Sequence, residues 1–227
     1  MVRSSLAGLL IAYCVPAWLC EAKPINYSVA DHHALQTPPK AEVEVSTLAN
    51  YLAAGKPKSV WDENVHFWVK NGPGDEFKAR AIYRWIADRI SYDFEVPEHV
   101  NVHEYLAPDG NYWTNLVSPS ETLRKRKAYC VSYSLLYQAL ADRVGLPVVY
   151  IEGSAVADGL RGEHAWNAVK IGSHWKMIDV TWGSGAGKGN NFKKAFDSKW
   201  FLMSPGQFGT THQPCERDLR KPCYLYR

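Results

Sequence analysis

Residues 163–183 read EHAWNAVKIGSHWKMIDVTWG, and the pairing of this stretch decides the fold. Strand-like residues run from Glu163 to Ile171 and again from Trp175 to Trp182, with Gly172-Ser173 between them. Gly at the first central position of a two-residue loop suits a tight antiparallel hairpin. The turn sets the register: Ile171 opposite His174, Trp166 opposite Asp179, His164 opposite Thr181. His164 and Asp179 then lie diagonally on one face, backbones about 7–8 Å apart and side chains within reach. A one-residue slip would send them to opposite faces. The hairpin predicts an imidazole beside a carboxylate.

Upstream, Val148 to Ala155 supplies a third strand, and Gly145 with Pro147 stops the helix before it. That helix begins near Cys130 and carries Leu135, Leu136, Ala139, Leu140 and Val144. Ser118-Pro119-Ser120-Glu121 opens a shorter helix with an N-cap Ser, a first-turn Pro and a Glu three residues on. It ends in Arg124-Lys125-Arg126-Lys127. After Asn71-Gly72-Pro73-Gly74, the stripe Phe77, Ala81, Ile82, Trp85, Ile86, Ile90 predicts a core-facing helix. Ser46 can cap a helix bearing Leu48, Tyr51 and Leu52, and Trp61, Val65, Trp68 and Val69 repeat that spacing. Residues 94–117 read as a long loop. Helices first and antiparallel strands afterwards predict an α+β fold.

The chain has 227 residues, 46% hydrophobic and 22% charged, which suits one large domain or two small ones and excludes a disordered or fibrous protein. A net charge of +3 is too small to argue for nucleic acid as a partner. The loop Gly183-Ser184-Gly185-Ala186-Gly187-Lys188-Gly189 is not a phosphate cradle, because Gly189 stands where Ser or Thr is needed; a flexible loop is expected.

Residues 1–22 have the form of a secretory signal: Arg3, an apolar run from Leu6 to Leu19, and Cys20-Glu21-Ala22 before a cut. The run is shorter than a membrane span of about 20 residues, so no stable insertion is expected after cleavage. Residues 23–44 read as a flexible leader, with a glycosylation pattern at Asn26-Tyr27-Ser28. Export to a secreted or periplasmic compartment permits disulfides. Of five cysteines, Cys14 and Cys20 leave with the signal, Cys215 and Cys223 can clip the tail at 215–227, and Cys130 is left over.

Cys130 lies where a helix begins, so unpaired N–H groups and the positive helix end face its sulfur, and four cationic residues precede it. Both features favour a thiolate, although the basic run also complements the carbonyl end of its own helix. His164 is the best placed of eight histidines to serve as its base, oriented by Asp179. No CxxC pair or acidic calcium loop is visible, so no metal or cofactor is expected.

The order Cys130, His164, Asp179 resembles the transglutaminase-like fold, particularly its kyphoscoliosis-peptidase-like branch. The resemblance rests on residues 78–86 and Ile90-Ser91-Tyr92-Asp93, Tyr129-Cys130 with Gly145-Leu146-Pro147, and His164-Ala165-Trp166-Asn167. Residues 178–183 and the tail from Phe201-Leu202-Met203-Ser204-Pro205 to His212-Gln213-Pro214 complete it, across about residues 45–214. Ala128 stands where the family usually shows Gly. The resemblance implies papain-like acyl transfer through a thioester on a protein or peptide substrate, with Cys130 as nucleophile, His164 as acid and base, and Asp179 as orienter. Water as acceptor makes a peptidase or amidase, an amine makes a transglutaminase, and a silent binding module is the third reading.

Overall fold

A computed structural model describes residues 27–55, 74–95, 118–188 and 191–215. The signal-like segment, the Trp61–Val69 pattern, most of the 94–117 stretch and Cys223 lie outside the described residues.

The described residues start with α1 (Ser28–Leu35), a 3-10 turn at Pro39–Ala41, and α2 (Val45–Ala53). The flexible leader expected over 23–44 is therefore corrected for its described part. Its helix is held less by an apolar stripe than by a polar anchor that local sequence does not reveal. The guanidinium of Arg80 forks onto both Asp31 carboxylate oxygens at 2.6 and 2.8 Å and lies 4.6 Å from the Tyr27 ring centre. Glu44, not Ser46, caps α2 by accepting the Thr47 N–H; Ser46 instead accepts from Arg143 at 2.9 Å.

Helix α3 (Asp75–Arg89) buries the expected stripe against α2 and the core. Strand β1 (Ser91–Tyr92) pairs in parallel with β2 (Lys127–Ala128), which follows α4 (Pro119–Lys125). Ser118 caps α4 as expected, accepting the Glu121 N–H at 3.1 Å. Helix α5 (Cys130–Arg143) crosses the core, where Tyr133 donates to the Ile90 carbonyl at 2.7 Å.

The main sheet follows: β3 (Val148–Ala157), β4 (Leu160–Ile171) and β5 (His174–Ile178). After it come α6 (Val180–Ser184), the hairpin β6 (Gly185–Lys188) and β7 (Asn191–Lys194), a 3-10 turn at Ser198–Trp200, α7 (Pro205–Phe208) and β8 (His212–Pro214). The antiparallel order is β5-β4-β3-β8, so the fold is α+β. The glycine stretch is not a flexible loop: its Gly185–Lys188 part is a strand, and a Cβ on Gly185 would come within 2.2 Å of the Lys193 carbonyl.

Hairpin register is as expected from Ile171↔His174 through Asn167↔Ile178. It then departs, because β5 ends at Ile178 and the expected strand through Trp182 is helix α6. Asp179 causes the change: its carboxylate accepts the Trp182 N–H at 3.0 Å, a cap that starts a helix and releases Thr181 from pairing with His164. At the opposite edge, Gly153 pairs with both His164 and Pro214. A side chain there would meet the Gln213 carbonyl at 2.1 Å and the Trp166 ring at 2.5 Å, so only Gly lets β8 close in.

Candidate active site

Cys130 is the first residue of α5, preceded by Tyr129 in extended backbone. The opening N–H groups of a helix lack partners four residues back, so they remain free to receive an anion. The site is anchored from behind: Tyr92 pairs with Ala128, and the Asp93 N–H donates to the Ala128 carbonyl at 2.8 Å. Cys130 is half-buried against Val131, Leu135 and Ala165, with Tyr129 and Tyr150 beside it, and is a free thiol. The basic run is engaged elsewhere. Arg124 and Lys125 pair with Glu121 at 2.5 and 3.2 Å, and Arg126 reaches Glu42 at 2.9 Å. Of the two features expected to favour the thiolate, the helix start remains.

His164 stands mid-strand on β4, and its Nε2 donates to Asp179 Oδ2 at 2.8 Å. The two side chains are 8% and 0% exposed, so the bond lies out of water. The Cys130 sulfur acts electrostatically on the same imidazole. With Nε2 committed to Asp179, Nδ1 is the nitrogen left for the sulfur. Trp182 stacks over the His164 ring at 5.2 Å and 29°.

Burial alone would lower the His164 pKa; the Asp179 carboxylate, then the Cys130 sulfur, overcome it and hold the imidazole up to about 10. Burial pushes Asp179 up, but the His164 charge and the donors His164, His212 and Trp182 prevail and hold it at about 2. Tyr92 is pushed above its ordinary range, first by burial and next by the charge of Cys130, so its phenol keeps its proton.

One buried residue at the site was given no role by the sequence. His212 Nε2 lies 3.2 Å from Asp179 Oδ2, and its side chain is 0% exposed. His212 lay inside a segment that carried the family resemblance, but no periodicity links β8 to the hairpin, so its contact was not legible. His164, Asp179 and His212 are also the group of potential metal ligands among the described residues, with ligand atoms within 4.8 Å of one another. The two imidazoles both hydrogen-bond the carboxylate, which accounts for the cluster, and we assign it no cation.

A thiol on a helix start, an imidazole under its influence and a buried carboxylate bonded to the imidazole form a thiol–imidazole–carboxylate group on an α+β scaffold. The transglutaminase-like superfamily model matches residues 65–180, and the chain belongs to that superfamily, within its kyphoscoliosis-peptidase-like branch. It is 29% identical to kyphoscoliosis peptidase of Mus musculus over 73% of this chain and 25% of that protein. The Homo sapiens protein is 27% identical over 76% of this chain and 26% of its own length. Hillarin of Drosophila melanogaster is 25% identical over 65% and 19%. The chain thus spans about a quarter of the length of the peptidases it matches. A solved TGase overlaps 74% of this chain and 39% of its own at 21% identity, with a TM-score of 0.38.

Proposed function

We propose that this protein is a thiol hydrolase that cleaves amide bonds in protein or peptide substrates through a thioester on Cys130. The observation that carries the reading is the buried His164–Asp179 bond at 2.8 Å, formed on an imidazole that the Cys130 sulfur influences from the start of α5. His164 takes the thiol proton, Cys130 attacks the carbonyl carbon, and the imidazolium returns the proton to the leaving amine. Asp179 keeps the ring in the tautomer and orientation that present Nδ1 to the sulfur. The Cys130 N–H donates to the oxyanion, and the Tyr92 hydroxyl is our candidate for the second donor. Water then enters along the path of the departed amine, with His164 as general base, and releases the acid.

We assign the protein to an extracytoplasmic compartment on the signal-like pattern of residues 1–22, with a Cys215–Cys223 clip in the tail. None of the described helices is long and apolar enough to cross a membrane.

Denatured casein, incubated with the purified chain with and without a fluorescent primary amine, tests the reading. New peptide termini or released ammonia support hydrolysis. Covalent amine labelling of casein would replace it with acyl transfer. No turnover, combined with slow alkylation of Cys130, would leave a silent binding module.

A further inference from the structure

We propose that His212 is a positioning residue for this site, a second imidazole that holds the Asp179 carboxylate in the orientation facing His164. The inference rests on the reading of Cys130 and His164 as the reacting pair. It starts from a proton inventory. A carboxylate only accepts, so each imidazole nitrogen bonded to Asp179 Oδ2 must carry its hydrogen. The second nitrogen of His212, Nδ1, meets the Thr211 hydroxyl at 2.8 Å. The same hydroxyl donates to the Phe208 carbonyl at 3.3 Å, so Thr211 ties the ring to the end of α7. The ring is thereby held with its Nε2–H pointing at Asp179 and contributes a donor to the carboxylate.

The ring is not free to turn. It stacks on Phe208 with centroids 3.8 Å apart, and Trp182, Trp166 and Trp200 surround it at 4.5, 5.1 and 5.6 Å. Its backbone is pinned as well: His212 pairs with Ala155 on β3, and the Val156 N–H donates to the Thr211 carbonyl at 2.9 Å. Asp179 Oδ1 is held by the Trp182 N–H at 3.0 Å, while Oδ2 carries both imidazoles. Without His212, Oδ2 keeps one donor and the carboxylate gains freedom to rotate away from His164. The titratable groups that act on Asp179 or its partner ring are His164 from β4, His212 from β8, Tyr83 from α3, Tyr92 from β1 and Cys130 from α5.

The test measures iodoacetamide alkylation of Cys130 against pH in the purified full chain, followed by peptide mass spectrometry, with thermal melts in parallel. His212→Phe keeps a flat ring in the aromatic cage and removes both nitrogens; His212→Gln restores an N–H near the position of Nε2. We expect His212→Phe to alkylate about tenfold more slowly at pH 6, its acid limb moved up by about one pH unit, the effect of losing one hydrogen bond to a charged group. His212→Gln should recover to within about threefold of the natural chain. A His212→Phe profile that superimposes on the natural one, whatever its melting temperature, overturns the proposal. If the natural chain itself alkylates like an ordinary thiol with a pKa of about 8.5, the Cys130–His164 reading fails and His212 has nothing to position. A low natural limb with an unmoved variant sinks the His212 role alone. Should His212→Phe not fold, Thr211→Val removes the hydroxyl on Nδ1 and must move the limb in the same direction; an unmoved limb there overturns the proposal equally.

Discussion

The two faces of strand β4 are built from different chemistry. Ala165 packs on Val131 and Leu135 of α5, and Val169 joins the main core, where Leu136, Leu140, Ile82 and Ile86 lie with the rings of Trp85, Tyr133 and Tyr137. On the other face, His164 and Trp166 meet Trp182, Trp200, Phe208 and His212, with the carboxylate of Asp179 enclosed among them. Aliphatic groups bury area without regard to direction, so the helix face supplies stability that tolerates small rotations. Flat rings and hydrogen bonds are directional, so the second face supplies orientation. It tolerates imperfect satisfaction: the buried Trp166 indole nitrogen has no hydrogen-bond partner. The Cys130 thiol sits on the helix side with Ala165, while the imidazole and the carboxylate sit on the ring-lined side, so the candidate site draws on both sides of one strand.

If that division holds, changes at Cys130 or on the ring-lined face should remove activity with little loss of stability, and changes in the core beneath the helix face the reverse. The largest effect is expected for Cys130→Ala and His164→Ala, which should both abolish turnover while the melting temperature stays within a few degrees, because the two act as a unit. Turnover retained by purified Cys130→Ala would remove the sulfur from the mechanism.

Asp179→Asn should be milder, about 10³-fold in kcat, since the amide keeps the contact and loses the charge. Its stability deficit should also depend on pH, with a sign set by both partners. His164, held up to about 10 from 6.5, stabilises fully below pH 6.5, and that contribution fades as pH rises through 10. Asp179, held at about 2 from 3.8, stabilises fully above pH 3.8 and loses this as pH falls through 2. The gap between natural chain and variant in denaturant titrations should therefore be widest between about pH 4 and 6.5. A gap that widened toward pH 10 would contradict the assigned ion pair.

Tyr92→Phe should lower kcat by about 10²-fold with KM nearly unchanged, the signature of a donor used in the transition state. An unchanged kcat would return the second oxyanion donor to the backbone.

Leu136→Ala, on the helix face, should cost about 2–5 kcal/mol in urea unfolding and leave the pH profile of Cys130 alkylation in place. A shifted profile would show that the two faces are coupled. The smallest effect belongs to the basic run: Arg124→Ala removes an exposed, solvent-screened pair with Glu121 and should leave the urea midpoint and Cys130 reactivity unaltered.

Much of this division was legible in the amino-acid order. A turn at Gly172-Ser173 and a side-chain period of two fix the register as far as Ile178 and so bring the next residue, Asp179, close to His164. Cys130 at a helix start followed from the stop signals around it. Both are local rules, acting over one hairpin or one helix end. Past Ile178 they failed, because the Asp179 side chain capped a helix where β-branched residues favoured a strand.

The rest depended on contacts far apart along the chain. Asp31 meets Arg80, and His212 meets Asp179, only because α1 docks on α3 and β8 joins the far edge of the sheet at Gly153. Hydrophobic periodicity carries no information about such polar partners, since a buried carboxylate accepts any donor the fold delivers. The sequence by itself placed the Cys130 thiol at a helix start and brought the His164 imidazole to the Asp179 carboxylate. Only tertiary structure decided what holds that carboxylate still, because orientation in a buried site is set by every group around it and not by its neighbours in the chain.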